Sequence, residues 1–219
     1  MPHVFFAFGR RQKGESVLVS GDRNPFFFAD SDCDSIGDNT FLSSFTQEEG
    51  YIAMGTRCIT CLSESPERTR LLGELLSGFV EKALCILLRG NLGAGKTVFT
   101  RGLAKGLGFE AVRSPSFSLV LEYPTRPRLV HVDLYRIESG QEEDLALEEY
   151  IEDGNVLVIE WPERARSLPG TDRWFLDFID SENPTRRLLR WRAEGPRSDA
   201  VETLFLRKLE EERWTYSLE

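Results

Sequence analysis

The chain has 219 residues, 41% of them hydrophobic and 29% charged, ordinary globular values that exclude a wholly disordered or fibrous chain. Its length allows one α/β domain with appendages, or at most two small domains. The net charge of −9 argues against a free-standing nucleic-acid binder, whose affinity comes mainly from neutralising phosphates with Lys and Arg.

Residues 1–53 hold 8 of the 15 Phe, including Phe26-Phe27-Phe28, together with 4 basic and 8 acidic residues and no sustained helical or strand period. They read as a poorly ordered N-terminal extension. Met54 directly precedes the first organised segment, so translation from that residue is an open alternative. The N-terminus reads Met-Pro-His-Val-Phe-Phe-Ala-Phe before its first Arg, the reverse order of a secretory signal. No apolar run approaches the ~18–20 residues that span a bilayer. A cytoplasmic protein without a membrane partner is the expectation.

From Arg57 the signals become regular. Residues 57–62 read as a short strand containing Cys58-Ile-Thr-Cys61. His3 and His131 are the only histidines, so a four-ligand zinc site around this CxxC is hard to assemble. Period 2 sends the two Cys to opposite faces of the strand, which reads as two unrelated reduced thiols. Ser65 followed by Pro66 makes an N-cap and first-turn pair, and a helix is expected to run to about Phe79. Residues 84–89 form a buried strand. A Gly-rich turn leads to a helix over about 96–107, closed by Gly108. Strands follow at 117–123, 129–133 and 156–160, with an acidic helix over about 141–151. The spacing then predicts paired strands at 174–179 and 187–192 and a last helix over about 199–214. Asp199 and Glu202 stand in capping-box spacing there, and Val201, Leu204, Phe205 and Leu209 line one face. The domain reading is an extension at 1–53, a phosphate-loop domain at 54–180, and a C-terminal strand and helix at 181–219 packed on it.

Gly90-Asn-Leu-Gly-Ala-Gly95-Lys96-Thr97 matches GxxxxGK[ST] in full. Arg outnumbers Lys by 22 to 5, so a Lys inside a motif carries extra weight. The motif follows a buried strand and opens a helix, as its mechanism requires. Glycines let backbone N–H groups turn inward around phosphates, and the helix N-terminus adds partial positive charge. The candidate phosphate-binding set is Gly93, Ala94, Gly95, Lys96, Thr97 and Val98. Lys96 reaches the β- and γ-phosphates in such a loop, and the Thr97 hydroxyl ligates Mg²⁺. The bland alternative is a Gly-rich strand–helix turn with an incidental Lys.

A Mg–nucleotide site also needs a carboxylate beyond a neighbouring strand. Leu129-Val-His-Val132 ends in Asp133, and Val156-Leu-Val-Ile159 ends in Glu160. Lys96, Asp133 and Glu160 are therefore the catalytic candidates. One acid holds the Mg²⁺ shell while the other orients water, and the division is open at this point. Arg113-Ser114-Pro115-Ser116-Phe117-Ser118 occupies the place of a switch segment, where Ser114 and Ser116 hydroxyls can follow a γ-phosphate.

With these pieces in order, the chain resembles the bacterial TsaE (YjeE) family from about Thr60 to Pro162. The resemblance rests on the phosphate loop, Thr100-Arg-Gly102, Ser114-Pro-Ser-Phe-Ser-Leu-Val120, His131-Val-Asp-Leu-Tyr-Arg136 and Ile159-Glu-Trp-Pro162. It implies an α/β, phosphate-loop NTPase-like three-layer fold with a mixed, mostly parallel central sheet. It implies binding of ATP or ADP with Mg²⁺ and slow ATP hydrolysis. It implies the TsaB and TsaD proteins as partners, in the pathway that makes threonylcarbamoyladenosine beside the tRNA anticodon, with tRNA met only through the complex. By the resemblance, Thr97 and Glu160 are Mg²⁺ ligands, Asp133 belongs to the active site, and Thr69 lies in a segment that helps hold the nucleotide. Asn91 stands where Asp is usual, and Ser116 where Thr is usual.

A small-molecule kinase with the same loop is the main rival, with Arg164 and Arg166 as lid arginines, although the two read rather as a solvated face after the Trp-Pro pair. A non-catalytic nucleotide switch is the other, and the lack of an Asn-Lys-x-Asp sequence argues against GTP. Because residues 1–53 lack periodicity and lie outside the resemblance, a chain starting at Met54 is expected to fold and hydrolyse ATP like the full chain. A large fall in melting temperature on truncation would show instead that the Phe clusters pack on the domain.

Overall fold

A computed structural model of the protein describes residues 58–80, 82–138 and 140–218. The readings made for residues 1–53 lie outside the described residues. Among the described residues eight strands form one sheet: β1 (Ile59–Ser63), β2 (Cys85–Gly90), β3 (Val120–Tyr123), β4 (Leu129–Asp133), β5 (Val156–Glu160), β6 (Arg173–Asp180), β7 (Arg187–Glu194) and β8 (Tyr216–Leu218). Their order across the sheet is β3-β4-β5-β2-β6-β7-β1-β8. The pairings β4–β5, β5–β2 and β2–β6 are parallel. The outer pairings β3–β4, β6–β7, β7–β1 and β1–β8 are antiparallel. The sheet is mixed, as expected, but its parallel pairings are the three that join β4, β5, β2 and β6, so antiparallel pairing is the larger share.

The central strands are apolar along most of their length because both their faces are covered. Ile86, Leu88, Val156, Val158, Trp174 and Leu176 pack with Leu72, Leu76, Phe99, Leu103 and Phe205 of helices α1 (Pro66–Ser77), α2 (Lys96–Gly106) and α4 (Pro196–Glu211). The alternate residues Cys85, Leu87, Leu157, Ile159 and Phe175 pack on the other face with Leu147 of α3 (Leu147–Glu152). The result is helix, sheet and helix in three layers. No described helix is long and apolar enough to cross a membrane.

Local signals set most boundaries. Pro66 occupies the first turn of α1, and the Ser65 side chain accepts the Arg68 N–H at 3.3 Å. Beyond that, several expectations need correction. The acidic helix expected over 141–151 is broken: Gln141–Leu145 is a 3₁₀ turn, and Ala146 at φ 48° precedes α3. The cause is Glu142, which turns inward as a hydrogen-bond acceptor instead of lying on a solvated helical face. Helix α4 begins at Pro196, so Asp199 is already inside it and no capping box forms. Asp172 does that work, its Oδ1 accepting the Arg197 N–H at 2.8 Å and the Ser198 N–H at 3.4 Å. Val201, Phe205 and Leu209 recur every fourth residue on the packed face of α4, whereas Leu204 falls off it and is exposed. Strand β8 has no counterpart in the sequence reading. Cys61 is a free, buried thiol, but Cys58 is disulfide-bonded, so the reduced-thiol reading holds for Cys61 alone.

Helices α1 and α2 approach each other backbone to backbone. A Cβ on Gly102 would lie 1.8 Å from the Arg70 carbonyl oxygen, and one on Gly73 would lie 2.3 Å from that of Phe99. Backbone meets backbone, so only glycine fits at either place. Gly102→Ala is therefore expected to destabilise the fold by about 1–3 kcal/mol or more. Urea unfolding checks this, and an unchanged midpoint would contradict the packing.

Candidate active site

The loop between β2 and α2 is built on positive φ. Gly90, Gly93 and Gly95 have φ of 140°, 78° and 109°, a region that side chains other than hydrogen rarely tolerate. A Cβ at Gly93 would meet nothing within 4 Å, so conformation alone demands that glycine. At Gly90 a Cβ would also strike the Phe178 carbonyl oxygen at 2.7 Å. Ala94 is buried and its N–H donates to Asn91 O at 3.1 Å, which closes the loop on itself. Gly95 is the N-cap of α2 and no side chain caps that end, so first-turn N–H groups of Lys96, Thr97 and Val98 lack an intrahelical acceptor. Such an end attracts anions.

Lys96 is only 5% exposed. Its Nζ donates to Gly90 O at 2.5 Å and to Asn91 O at 3.0 Å, and lies 3.9 Å from the centroid of the Trp161 ring. Burial pushes its pKa down, and the charges of Glu160, Glu163 and Asp133 only partly offset this. Among the described residues no carboxylate is close enough to pair with it. A buried ammonium held by two neutral carbonyls and an aromatic face is a cation prepared for an anionic ligand.

The strand-end acids stand side by side, because β4 and β5 are parallel with Asp133 in register with Glu160. Both are 4% exposed. Thr97 Oγ1 donates to Glu160 Oε1 at 2.8 Å, and His131 Nε2 lies 2.8 Å from the same oxygen. Ser116 Oγ donates to Asp133 Oδ2 at 2.6 Å, and the Tyr135 N–H donates to Oδ1 at 3.0 Å. Ser114 Oγ lies 2.7 Å from Ser116 Oγ. The segment entering Ser114 is pinned at its start, where Tyr123 Oη donates to Arg113 O at 2.8 Å and accepts the Arg113 N–H at 3.2 Å. Two pairs therefore converge on the loop: Thr97 with Glu160, and Ser116 with Asp133.

The other candidates are placed less directly. Thr69 is buried, and its hydroxyl is engaged with Ser63 Oγ at 2.8 Å. Its methyl group borders the loop, 3.8 Å from where a Cβ of Gly95 would stand. Val98 is half-buried on the first turn of α2. Arg164 sits over the Tyr135 ring at 5.8 Å, and the Arg166 guanidinium lies against Gly140.

Sequence reasoning assigned no role to Trp161 or His131. Trp161 has φ 61°, a strained conformation for a bulky residue, and its N–H donates to Leu88 O at 3.1 Å. This turn lays the indole between Lys96 and Tyr135, whose ring centroid is 4.9 Å away. His131 had a legible signal: it stands two residues before Asp133, and period 2 puts both on one face of β4.

The donor set suits one kind of cation. Among the described residues no group of three or more His, Cys, Asp and Glu can hold a metal. A divalent ion here would rest on the Thr97 hydroxyl, one or two carboxylates, and oxygens brought by a ligand and water. That is how Mg²⁺ is held beside phosphates, and hard oxygen donors fit it.

Beside the strand ends, Glu142 ties two loops together. It is 3% exposed and accepts the Gly140 N–H at 2.7 Å on Oε2 and the Arg166 N–H at 2.5 Å on Oε1. The Ser167 N–H reaches the same Oε1 at 3.3 Å.

Comparison with known proteins bears on the family and the fold. The family model described as "Threonylcarbamoyl adenosine biosynthesis protein TsaE" matches residues 63–188, more than half of the chain. A tRNA threonylcarbamoyladenosine biosynthesis protein TsaE from Bacillus subtilis is 41% identical over 99 residues, 44% of this chain and 62% of that one. The protein of the same name from Aquifex aeolicus is 45% identical over 105 residues, 46% of this chain and 74% of that one. The crystal structure of YdiB from Bacillus subtilis superposes with a TM-score of 0.60 at 26% identity, covering 71% of this chain and 99% of YdiB.

The Glu142 staple has a pH signature. Burial pushes its carboxyl up, but the backbone N–H groups of Glu142 itself, Arg166, Gly140 and Ser167 outweigh this and hold it below the usual carboxylate range. A depressed folded-state pKa contributes stability that is present above the unfolded value and lost as pH falls through the folded one. Glu142→Gln is therefore expected to lower the melting temperature at neutral pH and to flatten its fall below about pH 4.3. Parallel melting curves for the two proteins across that range would contradict the assignment.

Proposed function

The chain belongs to the TsaE family of threonylcarbamoyl adenosine biosynthesis proteins, and from that premise we propose that it is a Mg²⁺-dependent ATPase acting with TsaB and TsaD. The observation that carries this reading is the buried Lys96 ammonium, paired with no carboxylate among the described residues and set in a loop of positive-φ glycines. Lys96 exchanges its two loop carbonyls for oxygens of the β- and γ-phosphates. The uncapped first turn of α2 presents the Lys96, Thr97 and Val98 N–H groups to the same phosphates. Ala94 and the glycines at 93 and 95 hold the loop open to receive them.

Thr97 and Glu160, already in contact, hold Mg²⁺, and ADP is retained in the same way after turnover. When bound, Mg²⁺ neutralises charge on the phosphates. Asp133 then orients the attacking water, its carboxylate fixed by Ser116 and the Tyr135 N–H. Because Ser116 bonds to Asp133, a γ-phosphate that recruits the Ser116 hydroxyl also changes what holds Asp133. This couples the 114–118 segment to nucleotide state. No motif supplies an arginine finger, and one given in trans raises hydrolysis by ~10³–10⁵, so slow turnover alone and faster turnover with partners follow. The net charge of −9 favours contact with tRNA through the complex, in the cytoplasm, over direct capture.

The test follows the labelled γ-phosphate of ATP, with and without TsaB and TsaD. Free phosphate, released faster with partners, is expected; a phosphorylated small molecule would establish the kinase reading instead. Lys96→Ala should cut turnover by about 10²-fold or more while the protein still melts cooperatively. Normal turnover by folded Lys96→Ala would overturn the phosphate-loop assignment.

A further inference from the structure

His131 lies in the middle of β4 with no exposed surface, between apolar Val130 and Val132. Its register neighbours are Leu121 on β3 and Val158 on β5, and the Tyr123 ring is 6.4 Å away. A Val or Leu would fill such a place without polar atoms. The imidazole instead leaves Nδ1 with no partner among the described residues, a burial that costs free energy. Among the described residues its one polar contact is Nε2 to Glu160 Oε1 at 2.8 Å.

We propose that His131 is a positioning residue for Glu160: its Nε2–H donates to Oε1 and so fixes which carboxylate oxygen is left for the cation. The inference rests on the metal-site reading above. Oε1 already accepts the Thr97 hydroxyl, and a carboxylate oxygen taking two donors is saturated in its plane. Oε2 has no hydrogen bond among the described residues. Without His131 the carboxylate is held on one side only, by Thr97, and is free to rotate about its last bond. The tautomer follows from the partner, since an ionised carboxylate only accepts and the proton must be on Nε2. Groups behind a ligand are needed to orient it, and losing one commonly costs 10–100-fold in metal affinity.

The first measurement uses the full-length protein labelled with ¹⁵N-histidine. His3 and His131 are the only histidines, so the two ring systems are readily told apart. A proton on Nε2 of His131 is expected; an Nε2 without a proton, the ring carrying one on Nδ1 alone, would overturn the proposal. The second is the Mg²⁺ dependence of binding to a fluorescent ADP. His131→Leu should raise the Mg²⁺ concentration for half-maximal affinity about tenfold or more, leave affinity in EDTA unchanged, and keep a cooperative melt. His131→Gln, whose amide N–H reaches to the place of Nε2, should restore the Mg²⁺ dependence to within a few-fold. An unchanged Mg²⁺ requirement in His131→Leu, or a His131→Gln as impaired as His131→Leu, reduces His131 to packing. If His131→Leu does not fold, the tautomer and His131→Gln decide. Failure of the unsubstituted protein to bind ADP with Mg²⁺ would instead remove the metal-site reading, and the inference with it.

Discussion

The parallel pairing of β4, β5 and β2 is the constraint on which the site depends. Register puts Asp133 beside Glu160, and Glu160 beside Leu88, the residue two before the phosphate loop. Parallel strands deliver all their carboxyl ends to one edge, which is why ligands of such sheets bind there. The pairing in turn requires both faces of the strands to be covered, because continuous apolar runs cannot face water. The helical layers are therefore a condition of the site as well as of stability.

Close packing of α1 on α2 extends this constraint. Gly73 and Gly102 let the two backbones touch, and this brings α1 against the start of α2. Thr69 thereby borders Gly95 with its methyl while Ser63 engages its hydroxyl. Thr69 shapes the loop from behind. A strained turn borders the loop elsewhere, where Trp161 at φ 61° places its indole over the Lys96 ammonium. The loop is thus bounded by a glycine-enabled helix contact on one side and a strained turn on the other. Both pack on the same sheet.

The acidic groups divide by their neighbours. Glu160 is shared by Thr97 and His131, and Asp133 by Ser116 and the Tyr135 N–H. Each carboxylate is anchored to a different element: Glu160 to the phosphate-loop helix, Asp133 to the segment that begins at the pinned Arg113. Buried carboxylates are costly unless hydrogen-bonded, so these contacts also explain how two acids coexist 4% exposed at adjacent strand ends.

Much of this was determined locally and was legible in the chain. The phosphate loop, the Ser65-Pro66 start of α1, and strands at 129–133 and 156–160 follow from short-range rules of φ, capping and apolar runs. The two strand-end acids followed as well, because strand ends are visible where apolar runs stop. Tertiary structure decided the rest. The broken 141–151 helix depends on Glu142 finding N–H groups at Arg166 and Ser167, more than twenty residues away. The cap of α4 comes from Asp172 rather than from Asp199, and β8 exists only because β1 offers it an open edge. Which acid meets Thr97, and that His131 stands behind it, depended on the strand order 4-5-2 across the sheet. Periodicity tells which face a side chain takes, but not which strand lies beside it, since that choice is made by long-range pairing that local propensity does not encode.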